Sequence, residues 1–324
     1  MKKDYIFEDA RIRVMETGLL SKADFEQLLA EPNYAAAIAY LTDKGWGGPD
    51  APKNGEALLR AEEKATWDLM EELLPGSDLL DPLRLTRDYQ NLKAAIKQLY
   101  TGSALDPERL FVEGGTIPPA DIRRAVEEQD LERLPEAMAK AAAEATEVLA
   151  RTGDGQLCDT ILDKAALTAL LEAGKTAEDP VLQEYAVVTA VSADIRTALR
   201  AAGSGRDAET IRSMLVEVEG LDLAALTEAA LNGRKAVADY LSLTPYASLS
   251  APLGRSMSAL ECACDDLLTE RIRPQLFESE KPGPLIAYVI ARENEIKCVR
   301  LLLSGKQNGL PEEILRESLR NSYV

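Results

Sequence analysis

Several stretches of this 324-residue chain place side chains at spacings that could do chemistry. In Asp265-Asp266-Leu-Leu-Thr-Glu270, carboxylates on one helix face could hold Mg²⁺ and a diphosphate between them. The spacing is not the Asp-Asp-x-x-Asp of helical isoprenoid synthases, and no second metal motif accompanies it. Asp68 and Asp163 recur at related places upstream, which argues for a structural or solvated role within a repeat. Cys262-x-Cys264 offers two thiols without the further ligands a tetrahedral zinc site needs, so both read as core cysteines. Ser304-Gly305-Lys306 lacks the upstream glycine and following hydroxyl of a phosphate-cradling loop, and Gly203-Ser204-Gly205-Arg206 reads as a linker. Trp46 and Trp67 read as packing residues. No catalytic, cofactor-binding or metal-binding residue is assigned.

The sequence contains no histidine. That removes Ser-His-Asp and Cys-His nucleophilic catalysis, His-containing zinc sites and the commonest general base, so the reading is not an enzyme. Thirty-seven Lys and Arg face 55 Asp and Glu, a net charge of −18. Such a surface repels phosphate backbones and anionic headgroups, so neither nucleic acid nor direct lipid insertion is expected. Met1-Lys2-Lys3-Asp4 has no apolar signal-peptide core, and the uncharged stretches around Tyr185–Ala193 and Pro284–Ala291 are too short to span a bilayer. The four cysteines (Cys158, Cys262, Cys264, Cys298) follow no disulfide framework, which suits a reducing, cytoplasmic setting.

A different kind of site is a set of basic positions. Lys93 and Lys97, and likewise Arg196 and Arg200, stand four apart and share a helix face; Arg300 is the matching third position, where Ser304 breaks the pair. They could form a ring of cations docking an acidic partner. The plainer alternative, that each pairs within its own lobe or lies in solvent, is preferred, because most helix-face charges contribute little.

The elements that position these residues follow from composition. The chain is 46% hydrophobic but only 5% aromatic, and Ala, Leu, Glu and Lys are frequent, which favours an all-α fold. Three long segments open with Pro and close at Gly: Pro82 to Gly102, Pro180 to Gly203 and Pro284 to Gly305. The prolines are 98 and 104 residues apart and the glycines 101 and 102. Pro suits a first helical turn and Gly the left-handed position past the last, so each segment predicts a helix of about 20 residues, near ~30 Å long. Leu92, Ile96 and Leu99, with Ile195 and Leu199, mark a buried stripe.

A helix precedes each Pro across a short loop, predicting an antiparallel hairpin. Shorter helices come before it, with a capping-box start at Ser21-Lys-Ala-Asp24 and counterparts near Asp121 and Asp222. Lapses at Gly114-Gly115 and Gly203-Ser204-Gly205 divide the chain into three helical lobes, 1–112, 113–204 and 205–324. Three such lobes would pack around a pseudo-threefold axis with equivalent faces inward.

With the repeats in view, Ala10-Arg11-Ile-Arg13-Val-Met-Glu16-Thr-Gly18-Leu19-Leu20-Ser21-Lys-Ala-Asp24 resembles the start of the C-subunit family of archaeal and bacterial A/V-type rotary ATPases. Glu293-Asn-Glu295-Ile-Lys297-Cys-Val-Arg300, continuing through Gly305-Lys306 to Pro311, is similar to its C-terminal signature, and Asp88-Tyr-Gln-Asn91-Leu92-Lys93 looks like an internal copy. Cys298 stands where that family often has Asn, and Val191 and Asp194 depart from the Asp-x-x-Asn form. The resemblance implies a funnel of three related lobes, peripheral to the cytoplasmic face of the membrane. It would sit on the membrane rotor ring and receive the central shaft of subunits D and F, without a cofactor. Two other readings fit composition alone: a helical-repeat adaptor of another assembly, and a Mg²⁺-dependent isoprenoid-type enzyme around Asp265 and Asp266.

Overall fold

The computed structural model describes residues 5–101, 110–177 and 179–324. Met1–Asp4 and Gly102, on which two of the sequence expectations rest, lie outside them. Among the described residues every regular element is helical, and the only β feature is an isolated bridge between Val218 and Leu221. No described helix is long and apolar enough to cross a membrane.

The chain forms two compact units. The first runs to Ser77 and includes Asp179–Glu184 and Tyr246–Val324. It holds α1 (Ile6–Glu16), α2 (Lys22–Ala30), α3 (Tyr34–Asp43) and α4 (Gly55–Leu73). Local chemistry starts these helices: Ser21 and Asp24 form a full capping box on α2, and Asn33 and Asn54 accept the Ala36 and Ala57 N–H groups at the starts of α3 and α4. Phe25, Leu28, Ile38, Leu41, Leu58 and Leu59 then present one apolar face. It closes on Ile296, Val299, Leu302 and Leu303 of a long helix spanning Gly283–Gln307. That helix is apolar all round between Leu285 and Ala291, as a helix buried on every side must be.

The second unit comprises Asp78–Glu178 and Tyr185–Pro245. It contains α5 (Asp81–Thr101), α6 (Pro119–Glu127), α7 (Glu136–Thr152), α8 (Gly155–Thr176) and most of α9 (Pro180–Gly203). After these come α10 (Ala208–Met214), α11 (Leu223–Leu231) and α12 (Arg234–Leu241). Its core joins Leu92 and Ile96 to Ile122, Val126, Met138, Leu149 and Leu162. Each such aliphatic side chain, fully buried, contributes about 1.5–3 kcal/mol. Ala142, Ala145 and Ala166 let α7 and α8 approach closely. The first unit resumes with α13 (Ser250–Arg255), α14 (Met257–Ile272), α15 (the Gly283–Gln307 helix) and α16 (Glu312–Glu317).

All three Pro helices exist, with Pro82, Pro180 and Pro284 in their first turns. Two details differ from the sequence expectation. Gly203 and Gly305 are not left-handed stops; they are the last residue of α9 and an interior residue of α15. The left-handed backbone comes later, at Gly205 (φ 75°) and Gly309 (φ 66°). Gly305 is small for a packing reason: a Cβ there would run into the Leu315 side chain of α16. Leu99, expected in the buried stripe, is exposed.

Packing also follows a rule that short loops do not dictate. The long helix α5 packs chiefly on α6 and α8, which follow it, and α15 packs chiefly on α4, near the start of the sequence. The two pairs correspond, since the caps of α4 and α8, Asn54 and Asp154, lie a hundred residues apart.

Candidate partner-binding site

Four of the five basic positions lie in the second unit and one in the first. Lys93 and Lys97 project from one face of α5 onto α8. Their ammonium groups meet the Asp163 and Asp159 carboxylates, each at 2.6 Å, forming two stacked bridges. Arg196 and Arg200 are exposed on α9, where the Arg196 Nε–H also donates back to the Ser192 carbonyl at 3.2 Å. Arg300 is half-exposed on α15 and lies 3.7 Å from Glu56 of α4. Lys93 and Arg300 thus hold the same relation to their neighbours: each reaches an acid on the helix its own long helix packs against. The arrangement can attract an anionic partner through exposed guanidinium groups, and it ties α5 to α8.

Deeper in each long helix, polar side chains hold the backbone of a neighbouring segment. In α5 the buried Asp88 carboxylate accepts the Thr116 and Ile117 N–H groups (3.1 and 3.2 Å) and the Thr116 hydroxyl (2.6 Å). One turn on, Asn91 donates to the Val112 carbonyl at 2.8 Å and accepts the Val112 N–H at 2.7 Å. The matching residue of α9, Asp194, accepts the Val216 N–H with oxygens at 3.2 and 3.3 Å. Cys298, the matching residue of α15, receives the backbone N–H of Arg320 at its sulfur. These seats reach 21, 22 and 22 residues ahead. The Asp88 counterpart in α15 is Glu295, which accepts the Leu20 N–H. The internal signature therefore marks where a long helix seats an extended strap of chain, satisfying buried backbone groups.

Burial dominates the titration of Asp194, Cys298 and Glu295. Desolvation pushes the Asp194 carboxyl up to about 7, with the Val216 N–H and Lys164 pulling weakly the other way. It pushes the Cys298 thiol up to about 11. Glu295 is raised by burial too, offset in part by Arg292. Arg292, 7% exposed, is the hub of the first unit. It pairs with Glu295 one turn along α15 and with Glu62 of α4, and its guanidinium lies 5.1 Å from the Trp46 ring centre. Sequence reading missed this hub because Glu62 is 230 residues away. The available signal was a charged Arg292 and Glu295 inside an otherwise apolar helix.

The remaining motifs are occupied by the protein's own groups. Asp265 binds Lys297 and the Arg320 guanidinium, and Asp266 accepts the Asn321 N–H at 2.6 Å. That pattern straps residues 320–321 to α14. Among the described residues no cluster of three or more acids or thiols could hold a metal ion. Cys158, Cys262, Cys264 and Cys298 are buried, and no disulfide joins them among the described residues. Lys306 donates to the Leu29 and Glu31 carbonyls at 2.8 and 2.5 Å, placing a cation at the negative end of α2.

Comparison with known proteins agrees with this architecture along its length. A family model described as ATP synthase (C/AC39) subunit matches residues 9–318. The C subunit of a V-type ATP synthase from Thermus thermophilus is 28% identical, covering 98% of this chain and 99% of that protein. The C subunit of the V-type sodium ATPase of Enterococcus hirae is 25% identical, covering 96% and 97% respectively. The C subunit of the A-type ATP synthase of Desulfurococcus is 26% identical, covering 97% and 90%.

Proposed function

We propose, from the premise that the chain belongs to the ATP synthase (C/AC39) subunit family, that it is the C subunit of a V/A-type rotary ATPase. In this reading it is a non-catalytic central-stalk part on the cytoplasmic face of the membrane. It couples a shaft of subunits D and F to the membrane rotor ring, while nucleotide chemistry occurs in other subunits. The observation that carries the reading is the end-to-end match: chain and relatives cover one another almost completely.

A coupler must transmit torque without yielding, and the buried ties suit that demand. Straps seated in α5, α9 and α15, and the Arg292 hub between α4 and α15, fix helices by groups that are costly to expose. Recurrence of the seat at steps of 103 and 104 residues supports descent from three copies of one unit. In this reading Arg196 and Arg200, exposed on α9, help to meet the shaft. Lys93, Lys97 and Arg300 share their charge with Asp163, Asp159 and Glu56. An adaptor of some other assembly would have the same composition, but the family match favours the motor.

The reading is tested by co-expression with the D and F subunits of the same genome. A stoichiometric complex in gel filtration, with no ATP hydrolysis by the purified chain alone, is the expected result. A folded chain that associates with neither D nor F would overturn it.

A further inference from the structure

The first and second seats stand at matching positions of their long helices but differ in chemistry. In the first, the Asn91 amide satisfies both backbone groups of Val112, donating to its carbonyl and accepting its N–H. In the second, Asp194 offers two oxygens to a single donor, the Val216 N–H. A carboxylate has nothing to give a carbonyl; a carboxylic acid does, and in that form it matches an amide group for group. The surroundings favour the neutral form. Asp194 is 1% exposed, and Leu215 and Val216 of the strap are buried as well.

Charges that face the seat are few. Lys164 of α8 acts on Asp194, but its ammonium is engaged with the Ser213 carbonyl at 2.6 Å. On the strap side Arg212, Glu217 and Glu219 are exposed, and on α9 Arg196 and Arg200 are exposed. No cation among the described residues forms an ion pair with Asp194.

We propose that Asp194 is a pH-dependent latch: as the neutral acid it donates to the Val216 carbonyl while accepting the Val216 N–H, and it grips the 215–218 strap less firmly once its proton passes to solvent. The sign follows from linkage. An acid whose value is raised in the closed state, to about 7 here, and ordinary once the strap opens, contributes stability that is whole below the ordinary carboxylate range. That contribution fades as pH climbs from about 4 and is gone above about 7. Opening of the strap should therefore rise about tenfold per pH unit between pH 5 and 7, then level off. The device lies near neutrality and is independent of the proposed motor role.

The test is backbone hydrogen exchange of the full chain from pH 5 to 8.5, corrected for the intrinsic pH dependence of exchange. The Val216 amide should lose about a hundredfold of protection between pH 5 and 7 and no more above pH 8. The Val112 amide, seated by Asn91, should stay flat in the same sample. In Asp194→Asn the Val216 profile should flatten to resemble that of Val112. A ¹³C carboxyl titration of unmodified protein reads the same group directly, with a midpoint near neutrality expected. A midpoint below pH 5, or parallel profiles for Val216 and Val112, overturns the proposal even if the variant does not fold.

Discussion

Replacing Arg292 by Met removes the cation that stands between two carboxylates at the centre of the first unit. Glu295 is 6% exposed and Glu62 13%, so neither recovers its lost partner from water at low cost. Taking one member from a buried ion pair typically costs about 3–5 kcal/mol, and loss of the contact with the Trp46 ring adds about 0.5–2 kcal/mol. The Met side chain refills part of the stem volume, so the expected destabilisation at pH 8 is about 4 kcal/mol.

The pH dependence is the diagnostic part. Glu295 is already raised by burial, and Arg292 is the charge that pulls it down. Without that charge the carboxyl rises further. A folded-state value above the unfolded one means stability is kept below the ordinary carboxylate range and lost as pH climbs toward the folded value. The penalty should therefore be smaller at pH 5 than at pH 8. Urea unfolding followed by tryptophan fluorescence suits the measurement, because Trp46 and Trp67 both belong to the first unit. With a slope of about 3 kcal/mol per molar urea, the midpoint should fall by about 1.3 M at pH 8. Adding Glu295→Gln, which keeps an acceptor for the Leu20 N–H, should recover about half of the loss. A midpoint shift under about 0.3 M, or equal shifts at the two pH values, would refute the hub.

Three further outcomes are expected. Gly115→Ala puts a methyl group against the Asp88 carboxylate, which three hydrogen bonds hold in place; a loss of about 1–3 kcal/mol should appear in chemical denaturation of the second unit by circular dichroism. Lys306→Met removes the cation from the end of α2 and should cost about 1 kcal/mol, read as a lower thermal midpoint by tryptophan fluorescence. Arg196→Glu with Arg200→Glu, in a variant whose helical circular dichroism is retained, should weaken binding to a D–F pair at least tenfold, whereas unchanged affinity would remove these positions from the interface; isothermal titration calorimetry separates the two.

What sequence made legible was local. Helix starts were visible because their cause lies within three residues, as at Ser21 and Asp24. The Pro helices were visible because proline fixes the first turn and the apolar period runs through the interior. The partner of each long helix was not visible. Loop length predicts a neighbour, but α15 finds its principal surface on α4, more than two hundred residues away in the sequence, and no local pattern encodes that distance. The same limit hid the Arg292 hub and left Asp194 as a lone acid in an apolar run. Glycine's permissive backbone suits Gly305 to a helix stop; packing against Leu315 is a second reason for glycine that backbone rules do not contain. Basic residues at a helical period could be named, but their contacts with Asp159, Asp163 and Glu56 came only with the fold.

Bridging is the property that a coupler must have and an adaptor of another assembly would lack. Detergent-solubilised rotor ring, immobilised and washed, should retain the D–F pair only when this chain is added, in a ratio of one chain to one D–F pair per ring. Retention of D–F by the ring without the chain, or a folded chain that binds one side and never both together, would contradict the account.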